Sequence, residues 1–153
     1  MRQFKKTAFS FVETIIVVIF LGIVAAIAVP KLNFSVTSKQ KAETLAWKIV
    51  TDLRRTRMLA VTNAAANTAG YALNMTGSSP YTGYEIQNLD SSDIIDSFII
   101  DSDISCTGGV NFQFGPLGNL LAGSENQLFV SASGKSYTIS ITPATGMIKC
   151  EEN

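Results

Sequence analysis

The chain has 153 residues, twelve basic and twelve acidic, with no histidine and only two cysteines, Cys106 and Cys150. That length holds one compact domain plus an extended element. The lack of histidine excludes histidine general acid/base catalysis and most zinc sites, and the balanced charge gives no ground for a nucleic-acid partner.

The distribution of charge is more informative than its sum. Lys31 to Ala65 carries seven basic residues against Glu43 and Asp52, whereas Ala66 to Asn153 carries Lys135 and Lys149 against nine acidic residues. A basic stem precedes an acidic head, and the plain reading of both is a solvated face.

Met1 to Ala8 is short and basic, with Arg2, Lys5 and Lys6, and an apolar stretch follows from Phe9 to Val29, interrupted by Ser10, Glu13 and Thr14. As a helix this stretch spans roughly 32 Å, close to the hydrocarbon thickness of a bilayer. The basic leader then stays cytoplasmic and the remainder faces outward. Three readings compete: a secretory signal peptide removed after Ala28, for which Ala26-Ile27-Ala28 supplies a small-x-small site; a plain membrane anchor; and a prepilin leader. The first leaves Glu13 unexplained, unless it is a tolerated interfacial charge. A carboxylate at a bilayer centre costs on the order of 3 kcal/mol, and an ionisable residue in such a setting is a functional candidate by default.

Lys5-Lys6-Thr7-Ala8 followed by Phe9-Ser10-Phe11-Val12-Glu13 resembles the type IV prepilin signature, a basic leader before G-F-T-L-I-E and an apolar helix. The resemblance implies cleavage between Ala8 and Phe9 by a prepilin peptidase and N-methylation of Phe9. It implies assembly roles for Glu13, pairing with the terminal amine of a neighbouring subunit, and for Pro30, where those helices kink. Ala8 departs from the family's glycine by one methyl group. In a head outside the cytoplasm, Cys106 and Cys150 allow one disulfide, the alternative being two buried thiols.

From about Ser38 to Asn63 the pattern has a helical period. Ala42, Leu45, Ala46, Ile49, Leu53, Thr56 and Ala60 form one stripe, expected to pack on the head, with Lys48, Arg55 and Glu43 off it. Trp47 and Met58 fall on the opposite side with Arg54 between them, a candidate subunit contact unless the head wraps round and covers it. Asn63 to Gly70 is small and polar and ends the helix.

The remainder reads as short strands broken by Gly, Ser, Asn and Asp. Those expected are Gly70–Asn74, Tyr84–Leu89, Ser97–Asp101, Val110–Phe114, Gln127–Ala132, Ser136–Thr142 and Met147–Cys150, with a hairpin turning through Ser133-Gly134-Lys135. Asp90, Asp93, Asp96, Asp101 and Asp103 do not have the spacing of an EF-hand loop, and no phosphate loop, dinucleotide fingerprint or nucleophile elbow is present. Arg54, Arg55 and Arg57 are the single basic patch that DNA could use.

The head resembles the GspH/FimT group of minor pseudopilins and minor pilins. Asp52-Leu53-Arg54 through Arg57-Met58-Leu59-Ala60-Val61, Phe112-Gln113-Phe114-Gly115 with Gly118, and Thr145-Gly146-Met147-Ile148 carry that likeness. It implies an α+β, pilin-like fold: one long N-terminal α-helix, half transmembrane and half amphipathic, packed on an antiparallel β-sheet head. The expected organisation is a leader (1–8), a hydrophobic transmembrane and assembly helix (9–30), an amphipathic stem helix (31–65) and a periplasmic β-rich head (66–153). The implied function is that of a structural minor pseudopilin of a type II secretion system, initiating or capping a periplasmic pseudopilus. The alternatives are a minor pilin of a type IV pilus and a secreted soluble binding domain cleaved after Ala28. The expected partners are other pseudopilins or pilins, the prepilin peptidase and the inner membrane, spanned once with the N-terminus cytoplasmic. No enzyme activity, cofactor, metal, nucleic acid or small-molecule substrate is expected.

Overall fold

A computed structural model of the chain describes residues 11–28 and 34–153. It divides into two compact units, Met1–Phe34 and Ser35–Asn153. In the first unit, α1 (Phe11–Ala28) is an 18-residue helix. Its side chains from Phe11 to Ala25 are all exposed, because the sequence has no polar face to turn towards solvent and no separate apolar stripe to bury. Among the described residues no helix is long and apolar enough to cross a membrane. The membrane-spanning segment expected over Phe9–Pro30, and the single-pass inner-membrane anchor with it, are therefore not supported. Ala8, Phe9 and Pro30 lie outside the described residues.

The second unit is built on α2 (Phe34–Thr62), 29 residues long. The expected stripe is what it buries: Ala42, Leu45, Ala46, Ile49, Leu53, Thr56 and Ala60 are each no more than 5% exposed, and Val50 joins them. Ala42 to Ala60 covers roughly 27 Å of helix, whereas four strands at ~4.8 Å make a sheet under 20 Å wide. One such sheet leaves part of the stripe bare, and the chain forms two.

The first sheet has the order β3-β2-β1-β5, from β1 (Tyr71–Thr76), β2 (Gly83–Asn88), β3 (Ile94–Ile99) and β5 (Asn111–Phe114); the second has the order β4-β6-β7-β8, from β4 (Ser105–Gly108), β6 (Gln127–Ala132), β7 (Lys135–Thr142) and β8 (Met147–Glu152). All pairings are antiparallel. The chain leaves the first sheet after β3, contributes β4 to the second, and returns for β5. Backbone bonds from Tyr81 to the Cys106 carbonyl and from Met75 to the Val110 carbonyl, both 2.8 Å, tie the region together. Tyr71, Leu73, Tyr84, Phe112 and Phe114 of the first sheet and Leu128, Val130, Tyr137 and Ile139 of the second close one core with α2.

The expected pilin-like α+β architecture is thus corrected. Among the described residues there are two helices, α1 and α2, and eight strands in two sheets, not one long N-terminal helix packed on a sheet. The reason lies in composition: the N-terminal helix is apolar all round and forms its own unit, while the amphipathic α2 alone has a face to bury. Strand details also differ, and β4 (Ser105–Gly108) is not among the expected strands. β3 begins at Ile94 rather than Ser97, because its register shifts at a bulge between Ile86 and Gln87. The β6–β7 turn has two residues, Ser133 and Gly134, with φ of 50° and 82°, the signs of a type I′ turn.

The turn that follows α2 is held by a side chain. Asn67 is 3% exposed; its Oδ1 accepts from the Gly70 amide at 2.7 Å and its Nδ2 donates to the Gly70 carbonyl and to Asn88 Oδ1. The polar run after the helix is thereby fastened to β2.

Candidate functional site

The charged residues of α2 off its buried stripe divide by direction. Those on the β3 side are paired with the acidic run: Lys41 Nζ lies 2.7 Å from Asp101 and 3.2 Å from Asp103, and Arg55 lies 2.6 Å from Asp96. The hydrogen bond from Arg55 and one from the Ser97 amide hold the Asp96 carboxyl below its usual range; the bond from Lys41 does the same for Asp101. Part of the opposed charge of stem and head is therefore internal pairing, of Lys41 and Arg55 with Asp96, Asp101 and Asp103. Among the described residues no group of three or more cysteine, aspartate or glutamate side chains is placed to hold a metal ion.

Deeper on the same side, Lys48 Nζ donates to Asp52 Oδ2 at 3.0 Å and Tyr84 donates to the same oxygen at 2.6 Å. Lys48 also sits over the Phe98 ring, 4.8 Å from its centre. Burial, then the bond to Asp52, pushes the Tyr84 hydroxyl far above its ordinary value, so it remains a donor. An open groove of about 570 Å³ adjoins this network, with Leu45, Phe98 and Ile104 among its lining residues.

The outward side of α2 is different. Trp47, Arg54 and Met58 occur at i, i+7 and i+11, within about 20° of one line along the helix. The head does not cover them: Trp47 is 49% and Met58 60% exposed. Val61, one turn further, extends the line at 47% exposure. Sequence reading missed Val61, although its spacing of fourteen residues from Trp47 places it on the same line.

Arg57 also has a role that composition did not reveal. Its Nε donates to the Gly118 carbonyl at 2.9 Å, drawing the loop that bears the 89%-exposed Leu117 towards α2. The turn at Gly146 closes on the same carbonyl: with φ at +62°, a Cβ there would lie 1.9 Å from the Gly118 oxygen. The three arginines thus have different surroundings. Arg55 is paired with Asp96, Arg57 is bonded to the loop, and Arg54 alone remains on the outward line.

Of the two alternatives the sequence leaves open for Cys106 and Cys150, a disulfide or two thiols, the structure has free thiols. Cys106 lies on β4 and Cys150 on β8, the two outer strands of the second sheet, with β6 and β7 between them. Three strand spacings are roughly 14 Å, about twice the Cα separation a disulfide tolerates. Burial raises the Cys106 thiol to about 12.

Glu13 lies in the first turn of α1, the one charged residue in that helix, with an exposed side chain. What the described residues offer is binding surface: an apolar helix with a single carboxylate, and an aromatic and aliphatic line on α2 with one arginine. Comparison of the chain with family models, with curated proteins and with solved structures finds no match in any of the three.

Proposed function

We propose that this chain is a structural assembly subunit, serving as a minor pseudopilin does in type II secretion: one of the subunits that initiate or cap a filament outside the cytoplasm. One observation carries the reading. The helix α1 exposes large apolar side chains on every side, Phe11 at 80% and Phe20 at 68% among them, and it belongs to a unit separate from the folded body of the chain. Contiguous apolar surface of that extent marks an interaction element. Association with neighbouring helices removes it from water at roughly 25 cal/mol per Å².

Glu13 then supplies register. In a dry helix cluster a carboxylate is tolerated chiefly when paired, so a helix carrying one has few acceptable positions relative to its neighbours. The proposed partner is the amine created at Phe9 by prepilin cleavage after Ala8. A structural role accounts for these features without catalysis, a cofactor or a small-molecule substrate.

Two measurements test this. Intact mass and N-terminal sequencing of the native protein are expected to show an N-methylated Phe9; a start at Val29 would instead release the folded unit without α1, and the assembly reading would fall. Glu13→Ala is expected to cut incorporation into filaments at least tenfold. Incorporation equal to wild type would remove Glu13 from the account.

A further inference from the structure

The outward line on α2 has a matching surface elsewhere on the same folded unit. Pairing register places Glu85 of β2 beside Ser97 of β3, and Gly83 beside Ile99, on the face of the first sheet turned away from α2. The opposite face holds Tyr84 and Ile86, both nearly inaccessible. On the outer face Ile99 is 85% exposed, and Ile94, which pairs with Gln87 beyond the bulge, is 58% exposed. Gly83 has no side chain to shield Ile99.

The dimensions of the two surfaces agree. Trp47 to Met58 spans about 16 Å of helix, and Ile94 to Ile99 spans about 16 Å of strand. With Trp47 over Ile94 and Met58 over Ile99, Arg54 lies about 10 Å from Trp47 and the Glu85–Ser97 row about 10 Å from Ile94. The guanidinium therefore arrives opposite the carboxylate. Neither Arg54 nor Glu85 takes part in the ion pairs that fasten α2 to the sheets.

We infer that the Trp47–Arg54–Met58 line of one copy docks on the outer face of the first sheet of a second copy, with Arg54 pairing to Glu85. The two surfaces lie on opposite sides of a helix-on-sheet layer. The contact is therefore heterologous: each copy uses both surfaces, and the arrangement propagates rather than closing as a two-fold dimer. This rests on the assembly reading above and specifies the part of it that α1 does not supply. α1 gathers copies through apolar burial, and the α2-to-sheet contact sets how their folded units stack.

The test uses the full chain. Arg54→Glu and Glu85→Arg are each expected to weaken self-association in sedimentation about tenfold or more, as for a reversed charge at a close interfacial pair. The double reversal is expected to recover most of the loss. Circular dichroism melts establish that all three variants fold. A photoreactive residue replacing Thr51, which is exposed on the same line, is expected to form adducts within residues 83–99 of another copy. Singles that associate like wild type, a double reversal no better than the singles, or adducts only outside 83–99 would overturn this contact while leaving α1-driven assembly standing. A wild-type chain that stays monomeric at every concentration would end both.

Discussion

The sharpest energetic prediction concerns Tyr84 and the carboxylate it serves. Tyr84 is 2% and Asp52 8% exposed, and the phenol donates to Oδ2 at 2.6 Å. Tyr84→Phe removes that donor and little else: the ring keeps its tilted contact with Phe98, centroids 5.4 Å apart, and no cavity opens. A hydrogen bond to a charged group contributes about 1.5–3 kcal/mol. Lys48 still serves the same oxygen and its side chain is 41% exposed, so solvent softens the loss and about 2 kcal/mol is expected. For a unit of this size that corresponds to a fall of roughly 6–12 °C in Tm. Urea unfolding of the full chain followed by circular dichroism measures it. Asp52→Ala in the same assay supplies a double-mutant cycle, in which Tyr84→Phe costs little once the carboxylate is gone, giving a coupling of about 1–2 kcal/mol. A Tyr84→Phe variant within about 0.5 kcal/mol of wild type, the usual range for a surface substitution, would refute the reasoning.

Three further outcomes are expected. Gly146→Ala forces a Cβ to within 1.9 Å of the Gly118 oxygen at positive φ and should cost about 2–4 kcal/mol, through both strain and collision; an unchanged urea midpoint would contradict the described turn. Thiol labelling at pH 8 should leave Cys106 unmodified until the chain unfolds, since it is fully buried and its thiol is raised to about 12. Mass analysis without reductant should show two labelled thiols after unfolding and no bridge. Asp96 and Asp101 have carboxyls depressed below the ordinary 3.8, so their contribution is present above that value and lost as pH falls through the lower folded one. Lys41 is raised above 10.5 by Asp101 and Asp103, so its share is present below 10.5 and lost as pH rises beyond it. Thermal melts should therefore show a flat optimum from about pH 5 to 9, with an acid limb that high salt weakens because these pairs are exposed. An acid limb unchanged in the Lys41→Met, Arg55→Met double variant would assign it to other groups.

Much of the folded unit was legible in the residues themselves. The buried stripe of α2 follows from the 3.6-residue period, since a helix has one direction in which to bury its apolar side chains. The alternation of Tyr137, Ile139 and Ile141 marked the core face of β7 for the analogous reason, a two-residue period. Trp47, Arg54 and Met58 shared a line by arithmetic alone. Other features depended on pairing between distant segments. β4 is four residues, Ser105–Gly108, too short and too poor in apolar residues for a periodic signal, and it exists because Val130 and its neighbours present an edge. Whether the head covered Trp47 was likewise undecidable from one chain direction.

Three features are read directly from the residues: which side chains α2 buries, that α1 has no polar face, and that catalysis by histidine is excluded. Each follows from side-chain chemistry and local period. Long-range pairing divides the strands into two sheets, sets the cysteines on opposite outer strands, and joins Asp96, Asp101 and Asp103 to α2. Those outcomes rest on which strand edges and which charges meet across dozens of residues, and local periodicity carries no record of that.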